Sequence, residues 1–498
     1  MLQKIVWLVS MIPTTGFAAD LTGNWLAATP NGDGTTRRAY FNLKQKDSGI
    51  SGTVRITQFF YTISESSGGP TNFTFTASMM DGSSPRRLRY EARLAADELH
   101  LTELRPDRPG PEMVAHRVPN GEGAMPARIP PPALHKVRDN GLAKTPPMGW
   151  NSWNKFSRRV DDSIVRGVAD AIAQNGMREA GYIYINIDDT WEGERDAEGN
   201  IHSNQKFPNM KALADYVHSK GLRIGIYSSP GPNTCAGYEG SYGHEEQDAR
   251  AFAAWGIDYL KYDWCGARNL YNDAEMQGVY QKMGDALLQS GRPIVYSLCQ
   301  YGRSDVWRWG PDVGGNLWRT TGDIRDRWDS MSHIGFDQDR LAKFASTGHW
   351  NDPDMLEIGN GGMSETEYRA HMSLWSMLAA PLIAGNDVRD MPASIASILL
   401  NREVIAIDQD RAGKQANRVL QSGEQEVWTR ELAGGDFAVA LFNRAEEPAQ
   451  MKVEWAKAGM KKTPQRARDL WTFRDIKLHG HAYVAEVPGH GVVLLRVQ

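Results

Sequence analysis

The chain has 498 residues, of which 41% are hydrophobic and 23% are charged, and its formal net charge is −4. This length exceeds one ordinary hydrophobic core, so two or three domains are expected. The charge balance argues against nucleic acid as a partner, and no apolar stretch of the sequence is long enough to span a bilayer.

Residues 1–19 resemble a secretory signal peptide. One lysine lies near the start, an apolar run extends from Ile5 to Ile12, and the small residues Ala18 and Ala19 follow. A hydrophobic first strand is the alternative interpretation. A signal peptide predicts a secreted or periplasmic protein, and both locations permit disulfides.

Residues 20–120 predict an all-β module. AYFNLKQKDSGISGTVRI and FTFTASMMDGSSPRRLRYEARLAADELHLTEL alternate apolar and polar residues, with turns expected at Asp81-Gly82 and near Asp97. We expect a small antiparallel barrel or sandwich, which could bind sugar or cover part of the next domain. Residues 121–140, which include AMPARIPPPALH, predict a Pro-rich, semi-rigid linker.

Residues 141–412 predict a (β/α)8 TIM barrel. The eight strand-like runs are MGWNSW, YIYINIDD, LRIGIYSS, IDYLKYD, PIVYSLCQ, NLWRTTGD, GHWNDPDML and PLIAGNDV. Helical segments separate several of them, at residues 163–180, 210–220, 245–255, 274–290 and 365–379. This alternation predicts parallel strands with right-handed crossovers. A doubly wound open sheet is the alternative, but GWNSWN is not the Gly-rich phosphate turn of that fold.

Residues 413–498 predict a C-terminal antiparallel β-sandwich. EQEVWTREL, FAVALFNR, MKVEWAKA, AYVAEV and GVVLLRVQ are short alternating runs, and no helical segment separates them.

The predicted barrel strands end in carboxylates, at the edge where such barrels build their active sites. These residues are Asp188, Asp189, Asp263, Asp323 and Asp354. Histidine is scarce near the strand ends and Gly-x-Ser-x-Gly is absent, so neither a serine triad nor a metal site is expected. Carboxylates and aromatic residues suit glycoside hydrolysis, in which one carboxylate is the nucleophile or base and another is the acid.

The segment GIDYLKYDWCG puts Lys261, Asp263 and Cys265 on one face of the predicted fourth strand. A nearby ammonium lowers the pKa of a carboxylate, which suits a nucleophile, although a structural ion pair is the alternative. Asp323, four residues after Arg319, is a candidate acid. These residue types alone leave the two roles unassigned.

Seven motifs in order resemble glycoside hydrolase family 27, the group of α-galactosidases and α-N-acetylgalactosaminidases. They are PMGWNSWN, NIDDTW, GIYSSPGPNTCAG, LKYDWCG, YSLCQYG, WRTTGD and WNDPDML, and the similarity covers roughly residues 140–410. The resemblance implies a C-terminal sandwich, no metal or other cofactor, and hydrolysis that retains the anomeric configuration. The two catalytic carboxyl groups of such an enzyme lie about 5 to 5.5 Å apart.

The resemblance also implies a role for each matching position. Asp263 would be the nucleophile and Asp323 the acid/base, with Trp150 as an apolar wall against the sugar. Asp188 and Asp189 would bind the 4- and 6-hydroxyls, with Tyr227 and Lys261 lining the pocket. Arg319 would lie on the 2-hydroxyl side, and Asp354 and Met355 would close the pocket. Cys235 and Cys265 would form a disulfide.

One motif departs from plant-like members, which have Cys-Glu-Trp where this chain has Cys299-Gln300-Tyr301. Cys299 matches the cysteine that some relatives set beside the 2-hydroxyl, and Tyr301 is bulky, so we expect exclusion of N-acetyl groups. Thr190 replaces a cysteine of many relatives, so a second disulfide is not expected.

The expected function is therefore that of a retaining exo-α-galactosidase, acting on terminal α-D-galactosyl residues of oligo- or polysaccharides. A β-L-arabinopyranosidase and an α-N-acetylgalactosaminidase are the alternatives within the family. A non-catalytic carbohydrate-binding protein is the alternative outside the enzymes.

Overall fold

The computed structural model describes residues 20–46, 49–69, 71–81 and 84–498. They divide into two compact units, residues 20–32 with 36–126, and Asp33–Thr35 with Ala127–Gln498. The expected signal peptide lies outside the described residues, as does Gly82 of the expected turn. Among the helices of the described residues, none is both long enough and apolar enough to cross a membrane.

The first unit is a closed barrel of eight antiparallel strands, one of the two forms expected for this module. The strands are β1 (Gly23–Pro30), β2 (Thr36–Lys46), β3 (Gly49–Ile56), β4 (Phe59–Gly68), β5 (Asn72–Asp81), β6 (Ser84–Ala95), β7 (Glu98–Glu103) and β8 (Glu112–Val118). Pairing of β1 with β8 closes the barrel. Alternate side chains point inward, and Trp25, Phe41, Phe75 and Tyr90 fill the interior.

Residues 119–147 contain no helix or strand, consistent with their proline content. The strands that follow are β9 (Met148–Asn151), β10 (Tyr184–Asn186), β11 (Glu192–Arg195), β12 (Ile201–Ser203), β13 (Arg223–Ser228), β14 (Tyr259–Asp263), β15 (Val295–Cys299), β16 (Leu317–Arg319), β17 (Trp350–Asp352) and β18 (Leu382–Ala384). Apart from the β11–β12 hairpin, they form one parallel sheet of eight strands. Each of the eight predicted runs contains one of these strands.

The sheet runs in the order β17-β16-β15-β14-β13-β10-β9-β18, which is the chain order of a (β/α)8 barrel. Leu356, shortly after β17, pairs in parallel with Ala384 of β18 and so links the two ends of the sheet. Its N–H donates to Ile383 O at 2.8 Å. The carboxyl ends of all eight strands therefore meet around one opening.

Helices cover the outside of this sheet. They are α1 (Trp153–Phe156), α2 (Asp162–Gln174), α3 (Met177–Ala180), α4 (Met210–Ser219), α5 (Glu245–Trp255), α6 (Met276–Gln289), α7 (Trp328–Phe336), α8 (Glu365–Leu378), α9 (Ala393–Leu399) and α10 (Arg402–Asp408). The five predicted helical segments correspond to α2 with α3, and to α4, α5, α6 and α8. Short 3-10 turns, Arg303–Arg308 and Gly310–Val313, connect β15 to β16.

The C-terminal region has eight antiparallel strands: β19 (Asn417–Ser422), β20 (Gln425–Glu431), β21 (Phe437–Asn443), β22 (Ala449–Glu454), β23 (Arg466–Asp469), β24 (Arg474–Lys477), β25 (Ala482–Val487) and β26 (Gly491–Val497). Six form one sheet, and β22 with β25 forms a second. A core that includes Leu441, Trp455 and Leu495 lies between them. The expected β-sandwich is therefore present.

Candidate active site

Asp263 ends β14 and lies at the centre of the candidate site. Its side chain is buried, and each carboxylate oxygen accepts a hydrogen bond from a tyrosine hydroxyl. Tyr301 donates to Oδ1 at 2.7 Å, and Tyr227 of β13 donates to Oδ2 at 3.0 Å. Burial raises the pKa of Asp263 to about 6, against the lowering effects of Lys261 and the two tyrosines. The charge of Asp323 also raises the pKa of Asp263.

Lys261 makes its direct ion pair with Asp188 rather than with Asp263. Its Nζ lies 2.7 Å from Asp188 Oδ2, which also accepts from Asn151 Nδ2 at 2.8 Å. The side chain of Lys261 crosses β13, which separates β14 from β10 in the sheet. Burial disfavours the ammonium, but the charges of Asp188 and other acidic groups raise the pKa of Lys261 well above its usual value. Lys261 therefore stays charged and fixes Asp188.

Asp189 presents a buried acceptor to the site. Its Oδ2 accepts from the N–H of Ala236 at 2.7 Å, whereas its Oδ1 is buried without a hydrogen-bond partner among the described residues. Burial raises the pKa of Asp189 to about 7, and the charges of Asp188 and Asp263 add to this. A buried oxygen without a partner costs free energy, which a ligand hydroxyl could recover.

Arg319, at the end of β16, connects two acidic residues. Its Nη2 lies 2.8 Å from Asp354 Oδ2 and 3.2 Å from Asp323 Oδ1. The Asp354 side chain is buried, whereas that of Asp323 is 69% exposed. Arg319 Nε is buried and has no partner among the described residues, so it remains available as a donor.

Two site residues adopt backbone conformations that side chains rarely take. Tyr301 has φ +63° and Asp354 has φ +92°. Such conformations cost about 1–3 kcal/mol each, and they concentrate at functional sites. At Tyr301 the conformation accompanies a hydroxyl that reaches Asp263 and a ring that lies 5.9 Å from the Arg319 guanidinium.

The candidate site contains one disulfide and one free thiol. Cys235 and Cys265 form the expected disulfide, and Cys299 is a buried free thiol. Cys235 Sγ lies 3.5 Å from Asp263 Oδ2, and the N–H of the next residue binds Asp189. Both disulfide sulfurs lie close to Asp263 but are bonded to each other, so neither can supply a thiolate to a metal. The thiol of Cys299 lies 3.8 Å from Arg319 Nη1, and burial raises its pKa.

Trp150, the expected wall for a sugar, is buried beside the opening of the barrel strands. Its side chain has no accessible surface, and its Nε1 donates to Asn386 O at 2.8 Å. The indole packs against Phe156 with ring centres 5.9 Å apart. The role of Trp150 as an apolar wall against a sugar stays a prediction. Met355, which follows Asp354, is also nearly buried.

Three site features were not predicted from the sequence. Asn151 binds Asp188, and it could have been found because it is a polar residue at the end of a buried strand. Glu192 is buried, and its Oε2 accepts the N–H of Thr190 at 2.9 Å. Burial and the charge of Asp189 raise the pKa of Glu192 well above its usual value. The Ala236 N–H is a backbone donor, for which no side-chain pattern gives a signal.

The site thus combines a buried carboxylate held by two hydroxyls, a second carboxylate open to solvent, and fixed donors and acceptors around both. Such an arrangement can form and break a bond at an acetal carbon, with one carboxylate as nucleophile and the other as proton donor.

Two family matches cover the second unit. Residues 145–410 match the family described as Alpha galactosidase A, and residues 422–497 match the family described as Alpha galactosidase C-terminal beta sandwich domain. Alpha-galactosidase A from Cellvibrio japonicus is 46% identical over 380 residues, which cover 72% of this chain and 92% of the relative.

Two solved structures extend this similarity. α-Galactosidase I from Mortierella vinacea is 37% identical with a TM-score of 0.70, over 72% of this chain and 98% of its own. A protein from Bacteroides fragilis, described as a candidate α-galactosidase or melibiase, is 31% identical with a TM-score of 0.70. It covers 97% of this chain and 99% of its own, a share that includes the N-terminal barrel.

Proposed function

The chain belongs to the α-galactosidase group of glycoside hydrolase family 27, and we propose that it is a retaining exo-α-galactosidase that removes terminal α-D-galactosyl residues from oligo- or polysaccharides. The observation that carries this proposal is the pair Asp263 and Asp323. One carboxylate is buried and oriented by Tyr227 and Tyr301, and the other is exposed and lies 3.2 Å from Arg319 Nη2.

The reaction has two steps. In the first, Asp323 protonates the glycosidic oxygen while Asp263 attacks the anomeric carbon and forms a glycosyl–enzyme. In the second, Asp323 removes a proton from water, which displaces Asp263 and restores the original anomeric configuration. The exposed position of Asp323 suits both steps, because the leaving group and the water reach the site from solvent.

The polar residues on the Asp188 side suit a galactose rather than an arabinopyranose. The unpartnered Asp189 Oδ1 and the Lys261–Asp188 pair offer acceptors and a donor to the 4- and 6-hydroxyls. A β-L-arabinopyranoside lacks the 6-hydroxymethyl group, so it would leave part of this polar surface unpaired.

The residues near Arg319 suit a free 2-hydroxyl. Tyr301 and Cys299 both contact Arg319 on this side of Asp263. We expect the bulky tyrosine ring to exclude an N-acetyl group. Arg319 Nε, which has no partner among the described residues, remains as a donor to a hydroxyl. We expect Asp354 and Met355 to close this side of the sugar pocket.

A panel of three substrates tests the activity: p-nitrophenyl α-galactoside, its 2-acetamido analogue and p-nitrophenyl β-L-arabinopyranoside. We expect kcat/KM to be highest for the α-galactoside by at least about 100-fold. Failure of the folded protein to hydrolyse any of the three would contradict the proposal and favour a carbohydrate-binding protein.

We also propose that the chain is exported to the periplasm or the medium. The composition of residues 1–19 supports this, and so does the Cys235–Cys265 disulfide, since disulfides persist in oxidising compartments. The mass of the mature protein should correspond to a chain that begins near Asp20. A full-length protein in the cytoplasm would contradict export.

A further inference from the structure

The outer face of the N-terminal barrel carries a compact group of polar and aromatic side chains on β1–β4. We call Asn24, Tyr40, Asn42, Arg55 and Phe60 the outer patch. They are cross-strand neighbours: Asn24 lies opposite Asn42, Tyr40 opposite Arg55, and Arg55 opposite Phe60. Neighbours at such positions contact one another on one face of the sheet. None of these side chains is needed for the barrel interior, which lies on the opposite face.

The centre of the outer patch is closely packed. The guanidinium of Arg55 lies 4.6 Å from the ring centre of Tyr40 and 5.9 Å from that of Phe60. The backbone of Gly123 lies against the Tyr40 ring so closely that a Cβ at this position would come within 2.1 Å of Tyr40 Cδ1. Gly123 therefore covers part of the Tyr40 ring, whereas Phe60 is 39% exposed and offers a ring surface to solvent.

Arg55 has an incomplete set of partners. Its Nε is buried and lacks a hydrogen-bond partner among the described residues. No salt bridge joins Arg55 to a carboxylate within the described part of the chain. The Arg55 side chain also interacts with that of Tyr40. Since the guanidinium is half-buried and has no carboxylate partner within the described ranges, its terminal N–H groups can donate to a ligand.

The outer patch borders a cavity of about 190 Å³, which Glu122 and Gly123 also line. This volume is below the range of about 300–1,000 Å³ that is usual for drug-sized ligands, so it suits one small ring. The lining contains one cation, one carboxylate, two amides and an exposed aromatic ring. Asn42 Nδ2 donates to Asn24 Oδ1 at 2.5 Å, which holds the two amide planes in place.

We propose that the outer patch binds one neutral pyranose residue of a polysaccharide. A pyranose has an apolar C–H face that can lie on Phe60, and hydroxyls at its edge that can pair with Arg55, the two amides and Glu122. The balance of one positive and one negative group favours a neutral sugar over a uronate or a phosphate. The patch would hold the full-length protein on polymeric substrate, and it does not depend on the roles assigned to Asp263 and Asp323.

The experiment is affinity electrophoresis of the full chain in gels that contain soluble galactomannan. All proteins carry Asp263→Asn, so that the polysaccharide is not consumed and any binding at the active site is equal in each. We expect Phe60→Ala to raise the dissociation constant by about threefold to tenfold. Phe60→Leu, which keeps an apolar side chain but loses the ring, should weaken binding to a similar extent and guards against misfolding.

Phe473→Ala is the matched control, since Phe473 is 53% exposed and lies in the C-terminal region. Its binding should equal that of the parent. The proposal is wrong if both Phe60 variants bind like the parent, if Phe473→Ala weakens binding equally, or if polygalacturonate binds more tightly than galactomannan.

A second readout separates this proposal from the proposed activity. With Asp263 restored, Phe60→Ala should hydrolyse p-nitrophenyl α-galactoside at the parental rate, because the outer patch contains none of the residues of the candidate active site. A loss of hydrolysis that matches the loss of binding would contradict an independent binding site. If the parent hydrolyses none of the aryl glycosides, weaker galactomannan binding by the Phe60 variants would still support the outer patch as a sugar-binding site.

Discussion

Asp263 and Asp323 lie in contrasting regions of the same opening. Asp263 ends a central strand, is buried, and has both oxygens fixed by tyrosine hydroxyls, whereas Asp323 follows β16 and has a side chain that is 69% exposed. The fold thus holds the Asp263 carboxylate in one orientation, whereas the Asp323 carboxylate is accessible to solvent and to a leaving group. This difference matches a nucleophile that must be oriented and an acid/base that must exchange protons.

Removal of the buried carboxylate, Asp263, should have the largest effect on activity. We expect Asp263→Ala to lower kcat by about 10⁴-fold or more, because no other described carboxylate at the site receives the same pair of tyrosine hydroxyls. Added azide should restore some activity and give the β-galactosyl azide, since azide enters from the face that Asp263 occupied. Asp215→Ala, on the surface of α4, should retain parental activity. Rescue to the α-galactosyl azide would contradict the role of Asp263.

Removal of Asp323 tests the role of the exposed carboxylate. Asp323→Ala should reduce hydrolysis of an unactivated galactoside by about 10²- to 10⁴-fold, the usual contribution of general acid–base catalysis. The loss should be much smaller for the first step with a dinitrophenyl galactoside, whose leaving group needs little protonation. Azide should here give the α-galactosyl azide. An equal loss of that first step on both substrates would contradict a role in protonation.

Loss of the Cys235–Cys265 disulfide should lower the free energy of unfolding and weaken substrate binding. Cys235 and Cys265 are separated by 30 residues, and closing a loop of that length contributes about 3–4 kcal/mol in the chain-entropy account. The Cys235→Ser/Cys265→Ser variant should therefore unfold at lower urea concentration. KM should rise as well, because the segment after Cys235 supplies the Ala236 N–H to Asp189. Reduced parental protein is the control and should behave in the same way; unchanged urea unfolding in the variant would exclude a stabilising disulfide.

Removal of one hydrogen bond to Asp263 should have the smallest effect on activity. Tyr301→Phe removes a hydroxyl that stabilises the ionised carboxylate, so the pKa of Asp263 should rise above its value of about 6. The nucleophile acts when ionised, so activity is lost as the pH falls through this pKa, and the acid limb of the kcat/KM profile should move to higher pH.

The loss at the pH optimum should be about tenfold, in line with one hydrogen bond to a charged group. Tyr242→Phe is the control, because the Tyr242 hydroxyl donates to Ala127 O and not to Asp263. An acid limb that stays in place in Tyr301→Phe would show that this hydroxyl does not set the protonation of Asp263.

The barrel strands could be predicted because each is a short apolar run that ends in polar residues. β23 and β24 could not, since RARD and RDIK are mostly charged and depend on pairing with β26 and with each other. Helix α7 was also missed, because WDSMSHIGF mixes small, polar and aromatic residues without a clear apolar stripe.

The candidate site could be predicted at the level of positions but not of contacts. Strand ends and motif order brought Asp188, Asp263 and Arg319 to one opening. The partner of Lys261 could not be predicted, because a long side chain reaches across one strand to Asp188 instead of along its own strand. The burial of Trp150 likewise depends on Asn386, which is 236 residues away in the chain.

Trapping of the glycosyl–enzyme tests the central claim most directly. An activated fluorinated galactoside, chosen to slow hydrolysis of the intermediate, would leave its sugar on the nucleophile. After reduction, trypsin should release residues 262–268, whose one carboxylate side chain is Asp263, and residues 320–325, whose one carboxylate side chain is Asp323. The account predicts the galactosyl mass on the first peptide alone; its presence on the second would contradict the assignment of Asp263 as the nucleophile.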